Sequence, residues 1–186
     1  MLADEDGRLQ REHRFHQFYE EHYRSVQAYA VRRVNELSDV ADVVADVFTA
    51  AWRRLDDVPP PPADRVWLYG TARRVLADHY RGARRRGKLI SRIETSQASM
   101  LTDSRNDELL LALRQLKDGE REALMLVYWE QLSYAEAGQV LGCSANAVAI
   151  RMHRAKTRLR EVLAAPREPR SRGTVEAIVS FKTHGS

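Results

Sequence analysis

The stretch Leu132–Arg160 restricts the possible folds of this chain more than any other. Ser133 and Glu136 have the S-x-x-E spacing of a capping box ahead of an apolar run, so a short helix is expected to begin at Tyr134. Gly142 can adopt the left-handed conformation that ends such a helix after Leu141. Ser144 follows at an N-cap position and opens a second helix expected to reach about Leu163. Two helices joined by a tight glycine-containing turn make a helix-turn-helix.

The second helix has distinguishable faces. Val148, Met152, Ala155, Leu159 and Val162 recur in steps of three and four and form a stripe to be buried. Opposite them stand Asn146, Ile150, His153, Arg154 and Thr157, flanked by Arg151, Lys156, Arg158 and Arg160. No acid between Ser144 and Arg160 balances these cations. A solvated basic face would account for the charge alone. The capped helix, turn, second helix and cations together have the form of a DNA reader.

At 186 residues the chain can bury one moderate core or two small ones. Its 30 Lys and Arg against 26 Asp and Glu conceal an asymmetry. Residues up to Asp57 are acid-rich and the remainder is basic, which suits one surface to a protein partner and others to a polyanion. The single Cys143 excludes an internal disulfide and a multi-cysteine zinc site, as expected of a reducing cytoplasm. No apolar run reaches membrane-spanning length, and the charged N-terminus is not expected to be a signal peptide. The expectation is therefore a cytoplasmic protein without a membrane partner.

Upstream, Phe15, Phe18, Tyr19, Tyr23, Val26, Tyr29 and Ala30 predict a helix from about Gln10 to Val34. His13, His16 and His22 do not gather on one face, so exposed histidines are expected rather than a metal site. Ser38 or Asp39 is expected to cap a second helix running to about Leu55, with Asp39, Asp42 and Asp46 near its positive end and Arg53 and Arg54 near its negative end. The four prolines within Asp57–Asp64 predict an extended, stiff spacer. A third helix, from near Asp64 to about Arg85, has a core stripe of Leu68, Ala72, Val75, Leu76 and His79. Its far side carries Trp67, Gly70, Arg74, Ala77, Asp78, Arg81, Arg84 and Arg85, a cationic surface suited to phosphate contact.

Gly, Ser and Thr from Arg86 to about Arg105 mark a linker. Helical periodicity returns at Leu109, Leu110, Leu113 and Leu116 and again at Ala123, Leu124, Leu126 and Val127. The predicted fold is all-α: two small helical domains joined by a flexible linker, the second a four-helix helix-turn-helix unit. Beyond Leu163, Pro166 and Pro169 stop helix, and the Arg-rich tail holds an isolated apolar patch, Val175–Phe181. No nucleophile–base pair, metal-ligand spacing or phosphate loop is present, so neither catalytic residue, metal nor cofactor is expected.

Three segments in series carry a family resemblance. The run from Asp39 to Arg53 resembles the core-polymerase-binding helix of extracytoplasmic-function (ECF) sigma factors, of the sigma-70 family. The run from Trp67 to Arg81 is similar to that family's helix for the −10 promoter element, and Leu132–Arg160 to its helix for the −35 element. The resemblance spans roughly residues 13 to 164 and implies a sigma region 2 domain over 1–86, a linker over 87–106, a region 4 domain over 107–165 and a basic tail over 166–186. It assigns Asp42, Asp46, Phe48, Trp52 and Arg53 to the clamp helices of core RNA polymerase. Arg65, Trp67, Arg74, Asp78, Arg81, Arg84 and Arg85 would meet the single-stranded non-template −10 element, with a flipped base held at the Pro-rich loop. Ser144, Asn146, Ala147, Arg151, Arg154, Lys156 and Arg158 would meet the duplex −35 element. An anti-sigma factor is a further partner the family implies. This chain departs from the family's frequent residues at Ala45, Asp46, Arg74, Ala147 and Ala149, so promoter preference does not transfer from relatives. The main rival is a dimeric helix-turn-helix regulator with no polymerase partner, which would leave the two upstream helices unexplained.

Overall fold

The computed structural model describes residues 2–34, 36–85 and 112–164, with side chains over 5–34, 36–83 and 112–163. The expected linker and tail, the apolar patch Val175–Phe181 and the side chains of Arg84 and Arg85 lie outside the described residues. The regular elements among the described residues are helices: α1 (Leu2–Val31), α2 (Ser38–Arg53), a 3₁₀ turn (Leu55–Asp57), α3 (Ala63–Arg85), α4 (Asp118–Tyr128), α5 (Tyr134–Leu141) and α6 (Ala145–Ala164).

The periodicity of α2 decides the first half. Val40, Val43, Val44, Val47, Phe48 and Ala51 are all buried between α1 and α3. Burial of each large aliphatic side chain favours this packing by about 1.5–3 kcal/mol. Phe48 plugs an aromatic cluster from α1, with ring centroids 4.7 Å from Tyr19 and 6.4 Å from Phe18. Such tilted and edge-on pairs are the arrangement favoured by the ring quadrupoles. In the second half, Leu116, Leu124, Leu126, Leu132, Val140, Val148 and Met152 close the core of α4, α5 and α6.

Local expectations differ from the structure at four places. α1 begins at Leu2 rather than near Gln10, since Glu5 and Asp6 suit a helix N-terminus. α2 has no side-chain cap: it follows Leu37, and the Asp39 carboxylate meets His79 Nε2 of α3 at 3.1 Å instead. The proline segment is extended only through residues 58–60, after which Pro61 and Pro62 turn and the Ala63 amide donates to the Pro60 carbonyl at 3.1 Å. Fixed φ angles at successive prolines suit the first turn of a helix as well as a spacer. Finally, His13 and His16 are exposed as expected but His22 is buried. It lies four residues from both Phe18 and Val26, and therefore on the inner face of α1. There its Nε2 pairs with Asp64 Oδ2 at 3.0 Å, while Asp64 Oδ1 accepts the Arg65 amide at 2.7 Å.

The two halves also pack on each other, α3 against α5, and the contact is held by buried ions. Arg33 donates through Nε to Glu122 at 3.1 Å and through Nη1 to Glu130 at 3.1 Å. Arg32 Nη2 reaches both Glu130 oxygens, at 2.8 and 2.9 Å. Tyr29 donates its hydroxyl to Glu122 at 3.2 Å, and the Arg33 guanidinium lies 3.5 Å from the Tyr29 ring centre. Burial pushes the Tyr29 hydroxyl far above its ordinary pKa, so it remains a donor at any physiological pH.

Candidate polymerase and nucleic-acid interfaces

The helix-turn-helix forms as its residues dictate. Ser133 Oγ accepts the Glu136 amide at 3.3 Å while Glu136 Oε2 accepts the Ser133 amide at 2.7 Å. The hydrogen bonds from Ser133 hold the Glu136 carboxyl below its usual pKa, so this cap is complete at neutral pH and weakens as pH falls through the carboxylate range. Gly142 closes α5 in the left-handed region at φ 68°. Ser144 Oγ then accepts the Ala147 amide at 3.2 Å and starts α6.

Sequence reasoning passed over Gly138. A β-carbon there would sit 2.6 Å from the Cys143 carbonyl oxygen and 3.4 Å from the Ala145 nitrogen. The backbone of the turn thus crosses α5 where only hydrogen fits. A glycine inside an eight-residue helix costs roughly 1 kcal/mol relative to alanine, and that penalty was the available signal.

On α6, Val148, Met152 and Ala155 are buried as expected, with Leu159 and Val162 half-buried. The cations divide. Arg151 lies against α4, its Nε 3.8 Å from where a Gly119 β-carbon would be. Arg158 reaches Glu120 of α4 at 3.5 Å. Lys156 sits 5.6 Å from the centre of the Tyr128 ring, and the hydrogen bond its ammonium donates to the Tyr128 hydroxyl raises its pKa. Ser144, Asn146, Ile150, His153 and Arg154 are exposed, and Ala147 is half-buried.

α3 places Arg73, Arg74, Asp78 and Arg81 on an exposed face, with Asp78 paired to Arg81 and Arg74 Nη2 donating to Thr71 Oγ1 at 3.1 Å. Trp67 is half-buried beneath the Arg54 guanidinium, 5.7 Å from its ring centre. Arg65 is half-buried and donates to the Gln131 carbonyl of the other half at 3.3 Å. α2 leaves Asp42, Asp46 and Arg53 exposed and Trp52 half-buried, whereas Phe48 is only 4% exposed. Phe48 therefore shapes this face from within. Beside the acids runs an apolar groove of about 450 Å³ lined by Tyr19, Tyr23, Val31, Leu37, Val44 and Phe48.

Glu21, His22 and Asp64 bring one potential metal-ligand atom each within 4.8 Å of one another. The His22–Asp64 pair is already accounted for as a clip between α1 and the start of α3. No described helix is long and apolar enough to cross a membrane.

Comparison with known proteins agrees with this geometry. The family described as Sigma-70 region 2 matches residues 18–86, and that described as Sigma-70, region 4 matches residues 106–159. The RNA polymerase sigma factor CnrH of Cupriavidus metallidurans is 35% identical over 146 residues, covering 70% of this chain and 76% of that protein. The ECF RNA polymerase sigma factor SigL of Mycobacterium tuberculosis is 30% identical over 154 residues, covering 78% of this chain and 86% of its own length. The structure of CnrH in complex with the cytosolic domain of CnrY superposes with a TM-score of 0.61 at 30% identity, over 82% of this chain and 89% of that one. With both sigma-70 regions present in order on one helical chain, the protein belongs to the ECF RNA polymerase sigma factors of the sigma-70 family, non-enzymatic factors of promoter recognition and transcription initiation.

Proposed function

We propose that this chain docks on core RNA polymerase through the exposed acids of α2, reads a −35 element with α6 as duplex, and holds the non-template strand of a −10 element against α3. The observation that carries the reading is the division of surfaces within one chain. Asp42 and Asp46 project beside an apolar groove on α2, while Arg73, Arg74 and Arg81 project from α3. Residues 1–86 would act as the region 2 unit and 107–165 as the region 4 unit, working in the cytoplasm where the polymerase is. DNA opening follows from preferential affinity for the separated strand, a population shift that needs no bond chemistry in this chain. A factor resembling the CnrY domain is the kind of partner that would oppose this, since the structurally similar CnrH is bound by it.

The packed arrangement has a consequence for that reading. Elements about 25 base pairs apart are separated by roughly 85 Å at about 3.4 Å per pair. A compact chain of this size has a radius of gyration of only about 16 Å. The halves must part before both elements are engaged, and Arg65 must exchange the Gln131 carbonyl for DNA.

Specific initiation from a cognate promoter on adding the full chain to core polymerase is the direct test. The rival regulator would bind its duplex without polymerase. Charge reversal of Asp42 and Asp46 to Lys is expected to weaken core binding at least tenfold and leave the fold unchanged, because both side chains are exposed. Undiminished co-purification with core polymerase would remove α2 from the docking face. For the −10 reading, polymerase loaded with this chain is expected to bind a matched non-template oligonucleotide more tightly than a scrambled one. Equal affinities with a steep salt dependence would leave phosphate contact alone.

A further inference from the structure

We infer that Ile150 reads the 5-methyl group of a thymine in the upstream promoter element. The inference rests on α6 being the helix that enters the major groove. Three of the cations on that helix are turned toward the protein: Arg151 to Gly119, Arg158 to Glu120 and Lys156 to Tyr128. What remains outward on the first turns is a ridge at steps of four, Asn146, Ile150 and Arg154, with His153 beside it.

Ile150 is 44% exposed in the middle of this ridge. Single apolar side chains on a protein surface are common and need no partner. This one differs in position. It is the sixth residue of a helix that begins at Ala145, within the N-terminal turns that meet base edges in helix-turn-helix complexes. A branched aliphatic group cannot bond an amide or carbonyl edge. In the major groove the one apolar feature is the thymine methyl, so that is the feature Ile150 can recognise. Asn146, one turn earlier, can place two hydrogen bonds on a neighbouring adenine, and exposed Arg154, one turn later, can reach phosphate. Ala147 and Ala149 are half-buried and have shorter reach.

The test uses the full chain bound to core polymerase. Duplexes with a randomised upstream element are selected for binding, and each thymine of the selected element is then replaced singly by deoxyuridine, which deletes only the methyl. Wild type is expected to lose about fourfold in affinity at one position, the factor that burying one carbon supplies. Ile150→Ala is expected to bind thymine and uracil equally at that position, with an unchanged circular dichroism spectrum. Three results would overturn the assignment: no thymine in the selected element, no sensitive position in wild type, or the same sensitivity in Ile150→Ala. Failure to select any upstream sequence would instead overturn the −35 reading of α6, and the Ile150 inference with it.

Discussion

Replacement of Glu130 by Ala is expected to cost about 3–5 kcal/mol, the range for removing one partner of a buried ion pair. Its side chain is 2% exposed and that of Arg33 is 7% exposed, so water cannot replace the lost carboxylate without the halves moving apart. Arg32 Nε and Arg33 Nη2 already lack partners among the described residues, so losing the Glu130 carboxylate adds to the unpaired buried donors, although Arg33 keeps Glu122. The loss should therefore appear as opening between α1 and α4 rather than as melting of either half. Small-angle scattering is expected to show a larger radius of gyration for Glu130→Ala at neutral pH, with helix content retained. Glu130→Gln, which preserves shape and one acceptor, should fall between the two. Identical scattering and identical thermal midpoints for all three proteins would show that the ion network does not hold the halves together.

A second large effect is expected at Gly138. Alanine there would drive its β-carbon into the Cys143 carbonyl, a backbone atom that cannot rotate aside. Overpacking of this kind costs roughly 1–3 kcal/mol, and here the displacement falls on the turn that aims α6. Duplex binding at the upstream element is expected to fall further than stability does, because register in the groove depends on the angle between α5 and α6. Gly70→Ala on α3 is the matched control. Its added β-carbon meets nothing within 4 Å, so a gain of up to about 1 kcal/mol in helix stability is expected. Gly142→Ala is the intermediate case, since its left-handed φ costs an L-residue roughly 1–2 kcal/mol without a clash. Should Gly138→Ala bind the selected duplex as tightly as wild type, the close crossing of turn and helix would not be what sets the reading angle.

Local chemistry determined much of this protein from its sequence alone. The capping box at Ser133 and Glu136, the left-handed Gly142 and the cap at Ser144 are interactions within four residues, and each forms as its spacing dictates. The buried stripe of α2 and most of that of α6 follow from helical periodicity, which depends only on the backbone and on the exclusion of water from apolar groups. Tertiary structure decided what contacts between distant residues decide. Periodicity put Phe48 on the inner face, but only the packing of α1 over α2 shows it enclosed by Tyr19 and Tyr23. Asp39 and Asp64 could each have capped a helix alone, yet His79 and His22, 40 and 42 residues away, engage their carboxylates. Helical spacing already set Arg154 opposite the buried stripe and Arg151, Lys156 and Arg158 on its flanks, but only the position of α4 shows what the flanking three lie against. The same holds for Arg32, Arg33, Glu122 and Glu130, whose ion pairs join residues 89 to 98 positions apart. A charged side chain carries no mark of its partner in its own neighbourhood; the partner is set when burial removes water and leaves a nearby opposite charge as the remaining source of stabilisation.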